Sequence, residues 1–340
     1  MPVTIHDVAR EAGTTIGTVS KALNNSHSIS GERTVQIKTI AERLGYRPNA
    51  RAQTFARQAN REIVFLTGLP RDIAFANPHM FEILAGAEAA LTSKGYGLKL
   101  RGCGADTVCS MMKDVMERKL ADGLLLHASI VTRELAVHVT HTETPHLVIG
   151  KPGFSSSLCW IDNNNQLAGE LAAGYLLDSG KRKIAYIGGG DEDRISQDRL
   201  EGVKVRIKES RMCLDPSLVF KGESTMAEGT RITNGLLSRV PDAAFDSVIC
   251  ANNLLAFGCL NALQARGVRV PEDIALITFD DHPLAQLTNP MMTTVSIDMY
   301  DLGEQAGKLL LSKIRKPQMQ IQTYTTIPRL VVRGSTASAP

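Results

Sequence analysis

The stretch DVAREAGTTIGTVSKALNN, residues 7–25, decides the fold of the N-terminal region. The apolar residues in its first half recur at the spacing of an α-helix, and Gly13 ends this pattern in a turn that glycine enters at low cost. Thr15 can then cap a second helix, whose inner side carries Val19 and Leu23. The spacing therefore predicts two short helices joined by a tight turn.

A third helix is predicted after Ser30, which can act as its cap. Its apolar residues form one stripe: Ile37, Ile40, Ala41 and Leu44. Three helices in this order are typical of a helix-turn-helix, in which the second helix enters the major groove of DNA by its N-terminal end. The alternative is a helical hairpin with no partner, since helix-turn-helix patterns are loose when taken alone.

Gly17 stands in the first turn of the second helix, where a glycine costs ~1 kcal/mol relative to alanine. Four residues lie off the inner face, where a recognition helix displays the side chains that read bases: Ile16, Gly17, Ser20 and Lys21. The short Thr15 and Gly17 would let the positive N-terminal end of the helix approach a phosphate closely. We therefore interpret the glycine as part of a surface that presses against nucleic acid.

Positive charge is concentrated at the start of the chain. The 340 residues carry a net charge of +3, but residues 1–61 hold nine lysines and arginines against four aspartates and glutamates, a net charge of +5. The remaining residues hold 29 against 31, a net charge of −2. A small basic head on a mildly acidic body favours a polyanion-binding module joined to a domain of another kind.

The segment LGYRPNARAQTFARQAN, residues 44–60, follows the third helix. Pro48 stops that helix, Asn49 is a suitable cap, and residues 50–57 could form two turns, which are too short to be stable alone in water. Phe55 could then wedge between base steps in a minor groove and kink the duplex. Two alternatives remain open: Phe55 packs on the body, or the segment is a plain linker.

From residue 62 onwards, apolar strands alternate with amphipathic helices in two similar sets. The first set runs from EIVFL to HLVIG, residues 62–150, and the second from KIAYIGG to DIALITF, residues 183–279. Such alternation predicts an α/β fold with parallel sheets flanked by helices. Two similar lobes with a cleft between them follow, and in open α/β sheets ligands gather at the carboxyl ends of the strands.

Composition argues against secretion and against a membrane. The six cysteines are scattered without a C-x-x-C pair, which predicts reduced thiols: Cys103, Cys109, Cys159, Cys213, Cys250 and Cys259. No basic-then-apolar leader opens the sequence, and no apolar run approaches the ~18 residues of a membrane span. We therefore expect a cytoplasmic protein with no membrane partner.

Enzyme and metal functions find little support. The glycine-rich IGGGDEDR, residues 187–194, lacks the Lys-Ser/Thr of a phosphate loop and the spacing of a dinucleotide fingerprint. His138, His141 and His146 could suggest a metal site, but only the first two share a helix face, so a solvated surface is the better interpretation. We expect no catalysis, cofactor or metal. A pure sugar-binding protein is the other alternative, and it would have the body without the head and with an export signal.

The sequence VTIHDVAREAGTTIGTVSKALN, residues 3–24, followed by LGYRPNARAQTFAR, residues 44–57, closely resembles the DNA-binding head and hinge of the lactose-repressor (LacI/GalR) family of bacterial transcriptional regulators. Further similar stretches follow in order along nearly the whole chain: ANPHMFEILAGAEAAL, DGLLLHAS, DRLEG, ANNLLAFG, VPEDIALITFDD and TTVSIDMYDLGEQAGKLLL. The resemblance implies a helix-turn-helix domain over residues 1–46 and a hinge helix and linker over 47–61. It also implies a two-lobed effector-binding and dimerisation body, similar in fold to periplasmic sugar-binding proteins, over 62–334.

The resemblance also implies which residues bind. Those that fall where the family touches DNA are Thr4, Thr15, Ile16, Gly17, Ser20, Lys21, Asn24, Ser30, Tyr46, Asn49 and Ala52, with Phe55 at the position of the usual leucine wedge. Those that fall where the family binds its effector are His79, Met80, His127, Ser129, Arg199, Ser224, Asn252 and Asp280. An arginine and a carboxylate that converge on vicinal hydroxyls can each make two charge-assisted hydrogen bonds, which explains why polyol recognition favours these residue types. WIDNNN, residues 160–165, and DRLEG, residues 198–202, resemble those of glucoside- and maltose-responsive members of the family, which implies a carbohydrate effector.

Several positions depart from the family pattern. Lys21 replaces the usual arginine, so a bidentate grip on guanine becomes contact by a single ammonium, and Gly17 lacks a side chain that the family uses to read a base. Ser224 stands where relatives often carry an aromatic that stacks on a ring, and Asn253 replaces an aspartate.

Two heads are expected to read two half-sites of a near-palindromic operator, which implies a homodimer. By resemblance, the helix in MYDLGEQAGKLLLSKIRK, residues 299–316, and strands of the first lobe supply part of the interface. No leucine heptad follows Arg333, so we expect no coiled-coil tetramer. A sugar or sugar derivative in the cleft would alter DNA binding by a repressor; the alternative effector is a non-sugar metabolite of the corepressor type.

Overall fold

Three helices form the described part of the N-terminal unit. The computed structural model describes residues 3–23, 29–46, 60–68, 79–239, 245–319 and 323–337. The chain divides into two units, Met1–Arg61 and Glu62–Pro340. In the first unit the helices are α1 (Ile5–Glu11), α2 (Ile16–Leu23) and α3 (Gly31–Arg43), so the predicted order of three helices is confirmed.

The apolar sides of these helices meet in one small core. Its buried members are Val8, Ala9, Ala12, Val19, Ala22, Ile37 and Ala41. Gly13 leaves α1 with φ at +55°, a left-handed conformation that glycine adopts without steric cost. Thr15 Oγ1 accepts a hydrogen bond from the backbone N–H of Thr18 at 3.2 Å, which confirms the predicted cap of α2. Ser30 occupies the N-cap position of α3, but its hydroxyl makes no capping bond.

The first lobe of the second unit is a six-stranded sheet with helices on both faces. Its elements, numbered along the chain, are β1 (Glu62–Thr67), α4 (His79–Thr92), β2 (Gly97–Gly102), α5 (Val108–Glu117), β3 (Gly123–His127), α6 (Arg133–His141), β4 (His146–Ile149), β5 (Trp160–Asn163), α11 (Met299–Arg315) and β11 (Thr323–Thr326). The strand order is β11-β5-β4-β3-β1-β2, and all neighbours are parallel. Leu124 and Leu126 of β3 pack on one face and Leu125 on the other. Burial of both faces explains why the strands are almost continuously apolar.

The second lobe repeats this plan. Its elements are α7 (Asn165–Asp178), β6 (Ile184–Gly189), α8 (Arg194–Glu209), β7 (Val219–Gly222), α9 (Met226–Arg239), β8 (Ser247–Cys250), α10 (Asn253–Ala265), β9 (Ala275–Phe279), β10 (Thr293–Ser296) and β12 (Arg329–Val331). The strand order is β12-β10-β9-β8-β6-β7. Only β12 runs antiparallel to its neighbour among the described strands. The predicted two-lobed α/β fold is therefore confirmed.

The chain crosses between the lobes three times: between β5 and α7, between β10 and α11, and between β11 and β12. Two of these crossings are bonded to each other. Thr326 Oγ1 donates to Asn163 Oδ1 at 2.6 Å, and the backbone N–H of Asn164 donates to the carbonyl of Thr326 at 3.2 Å. The crossings place the carboxyl ends of the central strands of both sheets next to the cleft.

His146 lies in β4 and is only 6% exposed, so the predicted solvated surface is wrong for this residue. His138 and His141 lie on α6, where His138 is half-buried and His141 is exposed. The carbonyl of Thr144 accepts a hydrogen bond from His146 Nδ1 at 2.8 Å, and Nε2 accepts one from the backbone N–H of Cys159 at 3.3 Å. A strand covered on both faces has no solvated position for this ring, and burial lowers the pKa of His146 to about 4.

We expect His146 to remove about 2 kcal/mol from the free energy of unfolding between about pH 7 and pH 5. The unfolded chain binds a proton at this histidine below pH ~6.5, whereas the folded state binds it only near pH 4. The stabilising contribution of the neutral His146 is therefore complete above the pKa that this histidine has in the unfolded chain, ~6.5, and is lost as the pH falls from there towards about 4. Urea unfolding at both pH values should show this loss in the parent and not in His146→Gln; an equal pH dependence of the two would contradict it.

No helix within the described ranges is long and apolar enough to cross a membrane. The same ranges contain no group of three or more histidine, cysteine, aspartate or glutamate side chains arranged to hold a metal ion.

Candidate functional site

The first candidate site is the outer face of α2. Val19 and Ala22 are fully buried on its inner side. The residues predicted to face DNA lie away from that side: Thr15, Ile16, Gly17 and Lys21 are exposed, and Ser20 is half-buried. Ile16 is 39% exposed although it is apolar, which fits a surface that contacts a partner.

The other predicted DNA contacts lie around α1 and α3. Thr4 caps α1, and both its backbone N–H and its hydroxyl donate to Asp7 Oδ2, at 3.0 and 2.7 Å. Ser30 is exposed at the start of α3, and Tyr46 is half-buried against the core of the three helices. Asn24, Asn49, Ala52 and Phe55 lie outside the described residues.

Gly17→Ala is expected to stabilise the three-helix unit and to weaken its hold on DNA. A Cβ at Gly17 would meet only Thr15 Oγ1, at 3.7 Å, so alanine fits and should add up to ~1 kcal/mol of helix propensity. The methyl group would hold the helix end away from a phosphate, and we expect a loss of about tenfold in duplex affinity, or ~1.4 kcal/mol. Thermal unfolding and gel retardation measure the two effects; a stabilised variant with parental affinity would remove this explanation of the glycine.

The second candidate site is a cavity of about 370 Å³ between the two lobes. Six of the predicted effector-binding residues line it: His79, His127, Arg199, Ser224, Asn252 and Asp280. His127 ends β3 of the first lobe, and Asp280 follows β9 of the second. The cavity therefore lies at the carboxyl ends of parallel strands, where ligands bind in open α/β sheets.

Arg199 and Asp280 form a buried ion pair in the wall of the second lobe. They are 2% and 7% exposed, and Nη2 of the arginine lies 3.0 Å from Oδ1 of the aspartate. Arg199 also donates from Nη1 to the carbonyl of Ala251 at 2.6 Å and from Nε to Asn165 Oδ1 at 3.1 Å. Its Cζ stacks 4.4 Å from the ring centroid of Phe279. The guanidinium is thus fixed on every side, as a buried charge requires.

The backbone at Asp280 is held in the left-handed region, with φ at +66°. Aspartate tolerates this conformation better than most residues, but it still costs energy and must be held in place. The N–H of Asp280 donates to the carbonyl of Val295 at 2.9 Å, and its carbonyl accepts from Asn253 Nδ2 at 2.8 Å. These bonds direct the carboxylate towards Arg199 and the cavity.

On the second lobe, a hydrogen-bonded series of polar side chains also lines the cavity. Asn252 caps α10 by accepting from the N–H of Leu255 at 3.0 Å, and its Nδ2 donates to Ser224 Oγ at 2.9 Å. Ser224 Oγ lies 3.3 Å from Asp193 Oδ2, and Asp193 caps α8 by accepting from the N–H of Ser196 at 3.0 Å. The N-termini of α8 and α10 therefore border the cavity, each with its own cap.

Two predicted effector contacts do not line the cavity. Met80 is 3% exposed and packs in the apolar core of the first lobe, so its prediction is wrong. Successive helical side chains point about 100° apart, and it is His79, the first residue of α4, that faces the cavity. Ser129 is exposed, and its hydroxyl lies 2.7 Å from His127 Nδ1. It can therefore orient His127 without touching the cavity.

Sequence reasoning missed several lining residues: Asp162, Asn163, Asn165, Asp193, Phe257 and His282. Asp162 and Asn163 end β5, and polar residues at the end of an apolar strand were the available signal. Two backbone N–H groups bond the Asp162 carboxylate, from Lys151 at 2.9 Å and Asn163 at 2.7 Å. Burial nevertheless raises the pKa of Asp162 above its usual value.

Two histidines face each other across the cleft. His79 belongs to the first lobe and His282 to the second, and their rings meet edge to face with centroids 6.1 Å apart. Burial lowers the pKa of His282, and the neighbouring His79 lowers it further; burial also lowers the pKa of His127. His127 and His282 are therefore neutral at pH 7.

Comparison with known proteins finds relatives along nearly the whole chain. Residues 4–49 match the model of the bacterial regulatory proteins of the lacI family, and residues 173–336 match the periplasmic binding protein-like domain. The transcriptional repressor PurR of Vibrio vulnificus is 29% identical over 338 residues, which cover 98% of each chain. Catabolite control protein A of Staphylococcus epidermidis is 27% identical over 339 residues, covering 99% of this chain and 100% of that protein.

Two solved structures have the same fold over the whole chain. The complex of the transcriptional regulator CelR with cellobiose is 27% identical, with a TM-score of 0.72, and covers 98% of this chain and 99% of that one. The second structure is the lac repressor dimer bound to operator and the anti-inducer ONPF. It is 22% identical, and the match covers 99% of this chain and 100% of that one. The TM-score of 0.81 shows that the two chains have the same fold.

The relatives match this chain over both the helix-turn-helix and the two-lobed body. The relatives are regulators of transcription and not enzymes, so this chain is a ligand-responsive regulator and not an enzyme. The chain belongs to the LacI family of bacterial regulatory proteins.

Proposed function

We propose that the chain is a cytoplasmic repressor that binds a palindromic operator as a homodimer and changes its DNA affinity when a carbohydrate occupies the cavity. DNA binding is assigned to residues 1–46 with a hinge over 47–61, and effector binding and dimerisation to 62–334. The buried Arg199–Asp280 pair carries the carbohydrate assignment, because a carboxylate that a guanidinium holds beside the cavity can accept hydrogen bonds from vicinal hydroxyls. The cellobiose complex of CelR supports the same effector class.

A non-sugar metabolite is the second candidate effector. The cavity also has apolar walls, with Ile83 and Leu302 on the first lobe and Phe257 on the second. A flat aromatic ligand could pack between such side chains. PurR, a repressor at 29% identity over nearly the whole chain, keeps this candidate open.

The proposal predicts specific retardation of a palindromic duplex by the purified full chain. Duplexes selected from a palindromic library should bind with an affinity that falls steeply with salt, because Lys and Arg displace counterions from the phosphates. Sedimentation should show a dimer, and a sugar panel should contain a compound that changes the retardation. Indifference to every palindrome at low ionic strength, with and without the panel, would overturn the proposal.

A further inference from the structure

We propose that the cavity selects a ligand without negative charge, a neutral polyol or an amino sugar, and rejects sugar phosphates and sugar acids. This inference rests on the proposed carbohydrate effector and narrows its class. It follows from the charges and hydrogen bonds of the described lining residues.

The described lining has more acidic than basic side chains. It contains three aspartates, Asp162, Asp193 and Asp280, and one permanent cation, Arg199, so the carboxylates of Asp193 and Asp280 alone outnumber that cation. The pKa values of His127 and His282 lie below the usual value, so these rings do not add positive charge at pH 7. A phosphate would therefore enter against a net negative field in a partly enclosed site.

The one permanent cation of the described lining, Arg199, is already paired with protein groups. Both nitrogens at the end of the Arg199 guanidinium lie within 3.2 Å of the Asp280 carboxylate, and its other donors go to Asn165 and Ala251. A phosphate that took the arginine as its full ion-pair partner would displace Asp280. That aspartate would then be a buried charge without a partner, which is strongly unfavourable.

The N-termini of α8 and α10, which could attract an anion, are also occupied. The carboxylate of Asp193 caps α8, so a negative charge already compensates the positive end of that helix dipole. The amide oxygen of Asn252 caps α10. An anionic ligand would compete with both caps.

Two side chains of the lining, Asp162 and Asn253, have oxygen acceptors that remain for a ligand. The Asp162 carboxylate is bonded by backbone N–H groups and has no ion pair within 4.0 Å among the described residues. Asn253 Oδ1 is buried and has no hydrogen-bond partner in the described part of the chain, since its amide nitrogen alone is used. Hydroxyl and ammonium groups can donate to these oxygens, whereas a phosphate dianion can only accept.

The test is a thermal-shift titration of the full chain with matched sets of sugars. Glucose, galactose, mannose and cellobiose are compared with glucosamine, galactosamine, mannosamine and the 6-phosphates of the three hexoses. A neutral or amino member should raise Tm, and its phosphorylated counterpart should bind at least about tenfold more weakly, because it adds repulsion without gaining a cation. A phosphate that stabilises the protein more than its neutral parent overturns this inference and leaves the carbohydrate proposal standing.

A charge-removing variant locates the effect. Asp162→Asn should lower affinity for the bound amino sugar about tenfold and change affinity for the neutral parent much less, since charge-assisted bonds are about twice as strong as neutral ones. Asp191→Asn is the matched control, because Asp191 has a side chain 82% exposed, pairs with Lys221 at 2.7 Å and does not line the cavity. Equal losses in both variants also overturn the inference. If no member of the panel shifts Tm, the carbohydrate proposal fails, and DNA retardation still tests the rest of the proposed function.

Discussion

Arg199→Met is expected to lower the free energy of unfolding of the second unit by about 3–5 kcal/mol and to abolish the response to effector. The substitution removes the ion-pair partner of Asp280, whose carboxylate is largely buried, with the residue only 7% exposed. It also leaves the carbonyl of Ala251 without its 2.6 Å hydrogen bond from the guanidinium. Urea unfolding at pH 7 measures the stability, and retardation with and without effector measures the response.

The double variant Arg199→Met/Asp280→Asn separates stability from binding. It removes both charges, and asparagine accepts the left-handed backbone that residue 280 adopts at φ +66°. We expect most of the lost stability to return while the effector response stays absent. Both variants should still retard operator DNA, because the pair lies in the second unit and not on α2. A single variant within ~1 kcal/mol of the parent, or one that still responds, would contradict the role given to the pair.

The three-helix unit was predictable because its signals are local. Gly13, Thr15 and the apolar spacing each act within a few residues, and the structure agrees with all three. Ser30 shows the limit of such signals: the residue type marked the helix start correctly, but the predicted side-chain bond is absent. Whether a cap bond forms depends on side-chain rotamers that the sequence does not specify.

The cavity was only partly predictable. Arg199 and Asp280 were predicted to bind the effector from the family resemblance. Their ion pair joins residues 81 positions apart in the sequence, so it depends on the tertiary structure. The prediction for Met80 is wrong because neighbouring residues of a helix point in different directions: His79 faces the cavity and Met80 faces the core. Asp162 was missed because its role depends on the crossing from β5 to α7, which brings the end of one lobe against the other.

Helix packing was not predictable at all from local pattern. A Cβ at Gly303 of α11 would lie 2.0 Å from the carbonyl oxygen of Ile83 on α4, and one at Gly202 of α8 would lie 1.9 Å from that of Gln166 on α7. These glycines let paired helices approach closely, whereas propensity alone counts them as weak points. The partner of each glycine lies in another helix, so no local window contains the explanation.

Lys21→Ala is expected to weaken operator binding by about 100-fold, because a dimer loses the contact twice at ~1–2 kcal/mol for each copy. Lys21 is exposed in the last turn of α2, beside the buried Ala22, so its loss should leave the core unchanged. Arg10→Ala is the matched control: it removes the same charge from the three-helix unit, but Arg10 lies on α1 and pairs with Asp7. A similar loss in both variants would mean that net charge alone acts, and would contradict a specific role for Lys21.

The salt dependence of the same variant decides what Lys21 touches. If its ammonium neutralises a phosphate, the slope of log affinity against log salt should become shallower by about two for the dimer, and the loss should be uniform across duplex sequences. If it reads a guanine, the loss should be confined to duplexes that keep that base, because lysine can donate to O6 and N7. Lysine binds guanine through one rotatable ammonium and not through a planar fork, and this chemistry favours the phosphate contact. We therefore expect the shallower slope, and a loss confined to one base pair with an unchanged slope would reverse that assignment.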